Sequence, residues 1–166
     1  MEVTLTQVKT EEEIAALADL AFGIWHEYFI RIISREQIDY MVDKFQSVSA
    51  MTDQIHHQGY EYYFINVDGA HIGYIGVKQD EGKLFLSKFY IAKEYRGQGY
   101  ASRAMEFLKA LCKERSLSAI WLTVNRHNDS TIAVYEKKGF KTVRTQVADI
   151  GNGFVMDDYV MEKPIV

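Results

Sequence analysis

A change of hydrophobic period in the middle of the chain is the strongest constraint on its fold. KLFLSKFYI, which begins at Lys83, is largely apolar and reads as a β-strand. Beyond it, apolar residues fall on one face of a helix expected to run to about Ser116, at Ala104, Met105, Leu108, Leu111 and Cys112. YRGQGYAS, from Tyr95 to Ser102, joins the two elements. A glycine loop between a strand and a helix favours an α/β protein.

The remaining periodicity predicts a mixed order of strands and helices. Further strands are expected at VTLTQV, YEYYFINV, AHIGYIGVK, AIWLTV, FKTVRTQV and FVMDDYVME. Helices are expected after Thr10, from about Ser34 through KFQS with a continuation to His57 left open, and from Asn128 to Lys138. The order predicts antiparallel hairpins with one strand–helix–strand crossover in the middle.

The strand KLFLSKFYI contains an irregularity. Leu84 and Leu86 share one parity, whereas Phe89 and Ile91 share the other. One extra residue would produce this shift, so we predict a β-bulge near Ser87.

Composition limits the class of protein. A chain of 166 residues makes one domain, and 48% hydrophobic with 25% charged residues is typical of a soluble globular protein. A net charge of −4 argues against nucleic acid as a partner, and no apolar stretch is long enough to span a membrane. The start of the chain lacks the pattern of a secretory signal and Cys112 is the only cysteine, so we expect a cytoplasmic protein. Monomer and homodimer both stay open.

The glycine loop is suited to bind an anion, and phosphate is the usual one. Backbone amides that enter a helix lie at the positive end of its dipole, and Gly97 and Gly99 allow a ligand to approach closely. Arg96 adds a positive charge whose planar fork matches phosphate. The alternative is a tight turn with a solvated arginine. The loop is neither a P-loop nor G-x-G-x-x-G, because position 102 is a serine.

Two blocks of the sequence resemble the GNAT superfamily of N-acetyltransferases. Arg96, Gly99 and Ala101 match the family's pyrophosphate signature. The second block, NDSTIAVYEKKGF, starts at Asn128 and contains Tyr135, with Thr131 where alanine is common. The resemblance covers about residues 60–162, the core that the family shares. Residues 10–58 look like the family's variable helices on the acceptor side. Together they would form a single domain, 1–166. It implies a mostly antiparallel twisted sheet, helices on both faces, and a cleft for acetyl-CoA.

The resemblance also implies which residues hold the cosubstrate. Backbone groups of Phe89 and Ile91 would pair with the pantetheine arm, and amides from Arg96 to Ala101 would hold the pyrophosphate. The residues expected to contact acetyl-CoA are Phe89, Tyr90, Ile91, Arg96, Gly97, Gln98, Gly99, Tyr100, Ala101, Ser102, Asn128 and Tyr135. Tyr135 would protonate the departing thiolate. From the residues alone, Tyr135 is as readily a packing aromatic as an acid.

No general base follows from the sequence. Many family members carry a glutamate on the strand before the glycine loop, whereas here Ser87 and Lys88 occupy that region. The candidate acids elsewhere are Glu27, Glu36, Asp157 and Asp158, each of which is also explained as a solvated charge. We expect Glu27 and Tyr28 to face the acceptor amine. His56 and His57 are adjacent and lack zinc-site spacing, so we expect no metal.

Two functions of different classes stay open at this point. The first is an acetyl-CoA-dependent N-acetyltransferase that acts by direct attack of a primary amine of a small molecule or peptide. The second is a non-catalytic acyl-CoA-binding or scaffold domain of the same fold, which the missing strand glutamate makes worth keeping. Asn128 and Tyr135 favour the first.

Overall fold

Seven strands form one sheet in the computed structural model, which describes residues 2–165. The strands are β1 (Val3–Gln7), β2 (Tyr60–Val67), β3 (Ala70–Asp80), β4 (Lys83–Ile91), β5 (Ala119–Asn125), β6 (Lys141–Gly151) and β7 (Phe154–Pro164). Their order in the sheet is β1-β2-β3-β4-β5-β7-β6, and every neighbouring pair is antiparallel except β4 and β5. The predicted mixed α/β architecture is confirmed.

Helices cover both faces of this sheet. They are α1 (Glu11–Tyr28), α2 (Arg35–Gln46), α3 (Val48–His57), α4 (Tyr100–Glu114) and α5 (Asp129–Lys137), with a short 3₁₀ turn at Lys93–Tyr95. Alternate residues of β2 show the two layers, because Tyr62 and Phe64 pack with α1–α3 whereas Tyr63 and Ile65 pack with α4. A sheet buried on both faces explains the nearly continuous apolar runs of its central strands.

Helix boundaries depart from the sequence expectation at Ser47. The region after Ser34 is two helices and not one, because Ser47 is extended (φ −75°, ψ 162°). Its hydroxyl accepts a hydrogen bond from the Ala50 amide and so caps α3. The predicted start of α1 is confirmed, since Thr10 and Glu13 form a reciprocal capping box.

Other predicted ends shift by a few residues. α4 ends at Glu114 because Ser116 takes a positive φ of 57°, and α5 begins after Asn128, which is its N-cap. β6 begins after Phe140, whose side chain is buried, and it continues to Gly151. No helix within residues 2–165 has the length and apolarity that a bilayer crossing requires.

The predicted β-bulge is present and lies at Ser87. Gly76 pairs with Lys88 whereas the next residue of β3, Val77, pairs with Leu86, so Ser87 has no opposite residue. On its other side β4 pairs with β5 only at Leu84 and Phe85. Beyond the bulge the two parallel strands therefore separate and leave a wedge in the middle of the sheet.

The close approach of β3 to β4 predicts a stability effect at Gly73. A Cβ at this position would lie 2.2 Å from the carbonyl oxygen of Tyr90, in the backbone of β4. We expect Gly73→Ala to lower the free energy of unfolding by about 1–3 kcal/mol, measured by denaturant titration. Gly23→Ala is the matched control, because a Cβ there has nothing within 4 Å. Gly23→Ala should raise the free energy of unfolding by about 0.5–1 kcal/mol, because Gly23 lies in the interior of α1. Equal stability of Gly73→Ala and the parent would contradict the contact.

Candidate active site

The wedge between β4 and β5 opens into a central cavity. Its walls come from β4 and β5, from Trp25 and Tyr28 at the end of α1, from Asn128 and Tyr135 of the α5 region, and from Asp158 of β7. Two further pockets share walls with this cavity, each through a different set of residues. The site is therefore a passage with two mouths.

The first mouth, here called the loop pocket, lies between β4, the glycine loop and α5 and measures about 370 Å³. Tyr28, Phe89, Thr131 and Tyr135 belong both to it and to the central cavity. Predicted residues on its walls are Phe89, Ile91, Arg96, Gly97, Gly99, Tyr100, Ala101, Ser102 and Tyr135. Tyr90 and Asn128 line the central cavity instead. Gln98 is exposed, and its side-chain amide donates to the Glu94 carbonyl at 3.1 Å.

The glycine loop has the left-handed backbone that its sequence requires. Gly97 and Gly99 have φ of +76° and +85°, which side chains rarely allow. Gly99 is the N-cap of α4 and supplies no side-chain oxygen to the amides of the first turn. These amides border the loop pocket and lie at the positive end of the α4 dipole.

The Arg96 side chain is engaged with the protein itself. Its Nε donates to the Ile91 carbonyl at 2.8 Å, and its Nη2 lies 2.6 Å from Glu27 Oε1 in an ion pair. The guanidinium also stacks over the Tyr28 ring, 5.1 Å from the centroid. Arg96 therefore fixes the glycine loop to β4 and to α1. The sequence led us to expect this guanidinium to pair with phosphate; without a ligand it pairs with Glu27, and the phosphate contact stays a prediction.

A buried hydrogen-bond network joins α1 to the start of α5. Asn128 is 6% exposed and donates from Nδ2 to the Tyr28 hydroxyl at 2.7 Å. The same hydroxyl is hydrogen-bonded to Thr131 Oγ1. Thr131, which stands where the family commonly has alanine, thus has a hydrogen-bond partner on α1. Sequence reasoning could not see this pair, since more than a hundred residues separate its members.

Tyr135 lies where the central cavity and the loop pocket meet. Its ring packs edge-on against Phe140 with centroids 5.3 Å apart, which fixes its direction. Burial, with a smaller effect from nearby Tyr28, raises the pKa of its hydroxyl above the ordinary value of 10.0. The hydroxyl therefore keeps its proton at neutral pH, as a proton donor must.

The four candidate acids have different surroundings, and only one faces the cavity without a partner. Glu36 is exposed in the first turn of α2, Glu27 is paired with Arg96, and Asp157 is paired with Arg126 Nε at 2.8 Å. Asp158 is 3% exposed, and its Oδ1 has no hydrogen-bond partner among the described residues. Burial, and then the neighbouring Asp157, raises the pKa of Asp158 to about 6. We expected both Glu27 and Tyr28 to face the acceptor amine. Tyr28 lines the cavity, whereas Glu27 does not and is instead paired with Arg96.

The second mouth, here called the helix pocket, opens on the side of α1–α3 and β6. It shares Trp25, Met41, Ser87, Lys88, Thr123, Met156 and Asp158 with the central cavity. Lys88 is half-buried, and its Nζ donates to Ser87 Oγ at 2.8 Å. Burial lowers the pKa of Lys88 to about 8. The sequence showed Lys88 only as the residue in place of a glutamate, and helical spacing alone could not assign Trp25 or Met41 to a cavity.

The site has no cluster suited to a metal ion within the described part of the chain. No three His, Cys, Asp or Glu side chains converge there. What the cavity brings together is a tyrosine hydroxyl on one side and a buried carboxylate on the other, with a free strand edge between them.

Comparison with known proteins assigns this arrangement to a family. The model of the acetyltransferase (GNAT) family matches residues 17–140. An uncharacterized N-acetyltransferase from Lactobacillus delbrueckii subsp. lactis is 23% identical over 99% of this chain and 98% of its own length.

Solved structures share the fold over nearly the whole chain. The PaiA N-acetyltransferase from Thermoplasma acidophilum, solved in complex with coenzyme A, gives a TM-score of 0.80 with 21% identity and 99% of each chain covered. The ribosomal-protein-S18-alanine N-acetyltransferase from Escherichia coli gives 0.73 with 16% identity, over 99% of this chain and 94% of that one. The chain therefore belongs to the acetyltransferase (GNAT) family and is an acetyltransferase that uses acetyl-CoA as its cosubstrate.

Proposed function

We propose that this enzyme transfers the acetyl group of acetyl-CoA to a primary amine of a small molecule or a peptide by direct attack. The observation that carries the proposal is the central cavity with two mouths, in which Tyr135 borders the loop pocket and Asp158 borders the helix pocket. Acetyl-CoA would enter through the loop pocket and the amine through the helix pocket. The two substrates then meet without a covalent enzyme intermediate. Incubation with acetyl-CoA and a panel of amines, with detection of the released thiol, tests the proposal directly.

The cosubstrate would lie along the free edge of β4. Beyond Phe85 this edge has no pairing with β5, so its backbone groups face the wedge. An extended pantetheine arm has amides that pair with such an edge as an added strand does. The pyrophosphate would then reach the amides from Gly97 to Ala101, with Arg96 as the residue that positions the loop.

Gly99 gives the test of this placement. We expect Gly99→Asp to weaken acetyl-CoA binding by at least about tenfold, because a carboxylate beside the amides repels phosphate. Gly99→Asn is the matched control, since it has nearly the same shape without the charge and tolerates a positive φ. Isothermal titration of both variants with acetyl-CoA is the measurement. Equal affinities for the Asp and Asn variants would contradict phosphate binding at this loop.

The reaction requires proton transfers at both ends of the site. An alkylamine has a pKa of about 10.4 and must lose a proton before its nitrogen attacks the thioester carbon. The C–N bond forms, the C–S bond breaks, and the sulfur leaves as a thiolate that takes a proton. The nitrogen gives up a second proton as the amide forms, so one proton is released overall. The enzyme thus needs a base near the amine and an acid near the sulfur.

We assign the acid to Tyr135. It borders the loop pocket, in which the thioester would lie, and its hydroxyl is protonated at neutral pH because burial raises its pKa. Phe140 holds the ring in place independently of the hydroxyl.

Tyr135→Phe separates acid catalysis from packing. The ring and its contact with Phe140 stay, so we expect unchanged acetyl-CoA affinity and unchanged thermal stability. The value of kcat should fall by roughly 10²-fold, at the low end for general acids because a thiolate is a good leaving group. An acyl donor with a more acidic thiol should lessen the loss. Full activity of Tyr135→Phe would assign the proton to water.

We assign the base to Asp158, because it is the only one of the four candidate acids that faces the cavity. It borders the helix pocket as well, through which the amine would arrive. A buried carboxylate without a partner attracts an ammonium group and then accepts its proton. A pKa of about 6 leaves Asp158 ionised at neutral pH.

The Asp158 carboxylate should give the enzyme an acidic limb in its pH profile. Because the ionised form is the active one, kcat/KM for the amine should rise as the pH increases through about 6. Its titratable neighbours are Asp157, Lys88, Tyr90, Tyr28 and Tyr135. Tyr90 and Tyr135 keep their protons over this range because burial raises the pKa of both hydroxyls, and Lys88 titrates only near 8.

Asp158→Asn should remove this limb and lower kcat by roughly 10²–10⁴-fold. Asp157→Asn is the comparison, because its carboxyl belongs to the ion pair with Arg126. It should keep the limb but move it to lower pH, since Asp157 contributes to the raised pKa of Asp158. An unchanged limb in Asp158→Asn would rule out this base.

The proposal includes both small molecules and peptides as acceptors. The E. coli relative in fold is described as acting on an alanine of a ribosomal protein, which supports a peptide amine. Membership of an acetyltransferase family favours catalysis over the non-catalytic alternative. A cytoplasmic location and the division near residue 58 into variable helices and a shared core stay predictions.

A further inference from the structure

Lys88 is a cation on the wall of the helix pocket without an anionic partner. Its Nζ donates to the neutral Ser87 hydroxyl, and no carboxylate of the described chain lies within 4.0 Å of it. Some other half-buried cations of this protein do pair with carboxylates, as Arg115 does with Glu61 and Arg126 with Asp157. A partly desolvated ammonium without a counter-ion is costly, so its place in a substrate cavity points to a ligand.

Lys88 and Asp158 border the same cavity but do not pair with each other. Both line the central cavity and the helix pocket. Their strands, β4 and β7, are separated in the sheet by β5, and β4 has left β5 at Lys88, so their backbones lie more than about 10 Å apart. The two opposite charges therefore do not neutralise each other directly, and both line the space that an acceptor would enter.

We propose that the acceptor is a small zwitterionic amine, which carries a carboxylate a few bonds from its nitrogen, and that the Lys88 ammonium binds this carboxylate. The assignment rests on the proposed function, because it takes Asp158 as the group that receives the amine. The amine end then faces Asp158 and the thioester, and the carboxylate end faces Lys88. Trp25, Met41 and Tyr60 line the helix pocket and exclude water, which strengthens both charge contacts.

A competing role for Lys88 is that of the base, since its pKa of about 8 suits proton transfer. The two roles differ in what they predict. A base acts on every acceptor alike, whereas a carboxylate-binding group acts only on acceptors that carry a carboxylate.

The test uses pairs of amines that differ only in the carboxylate. Leucine and leucinamide, phenylalanine and phenylalaninamide, and β-alanine and β-alaninamide are compared by release of the CoA thiol. Values of kcat/KM are corrected to the neutral amine, because the amide lowers the amine pKa. We expect the parent enzyme to prefer the acid in at least one pair by roughly 10- to 100-fold, as a charge-assisted hydrogen bond supports.

Three variants give the matched controls. Lys88→Met should bring the ratio of acid to amide near one, and Lys88→Arg should restore part of the preference. Lys83→Met removes a lysine of the same strand that is paired with Glu162 outside the cleft, and it should keep the parent ratio. Titration with acetyl-CoA shows that each variant is folded and binds its cosubstrate.

The outcomes separate this inference from the proposed function. A parent enzyme that acetylates acids and amides equally, or a Lys88→Met variant that keeps the preference, overturns the zwitterionic acceptor but leaves the transferase standing. If Lys88→Met lowers the activity with the amino acid and with its amide by the same factor, the zwitterionic acceptor is also overturned. Lys88 is then a base or a structural residue. Release of no thiol with any amine contradicts the proposed function as well.

Discussion

The divergence of two parallel strands is the constraint on which the rest of this structure depends. β4 and β5 pair at Leu84 and Phe85 and then separate, because the extra residue Ser87 turns the far half of β4 away. The separation leaves a strand edge without a partner inside a sheet that is otherwise fully paired. Backbone groups in such a place need polar partners, so the wedge suits a ligand that resembles a peptide backbone. The proposed cosubstrate site is thus a strand edge that no other strand pairs with.

Local patterns in the sequence predicted the parts of the site that belong to one segment of chain. The glycine loop and the α4 start follow from Gly97 and Gly99, and the bulge follows from the parity shift around Ser87. Tyr135 follows from a motif within a single helix. Each of these features depends on neighbours a few residues away, which a sequence records directly.

The acceptor side could not be predicted in the same way. Asp158 and Asp157 are adjacent and chemically identical in the sequence, yet one is buried without a partner and the other forms an ion pair with Arg126. The difference arises from β7 alternation and from the packing of distant elements, which local spacing does not encode. Ser47 shows the same limit for the fold, since one serine either continues a helix or caps the next.

The ion pair between Arg96 and Glu27 also joins the two mouths of the passage mechanically. Glu27 is held by the glycine loop, and Trp25, two residues earlier on α1, lines the helix pocket. The end of α1 therefore connects the glycine loop at one mouth to the wall of the helix pocket at the other. A displacement of the glycine loop would therefore reach the wall of the helix pocket through less than one turn of helix.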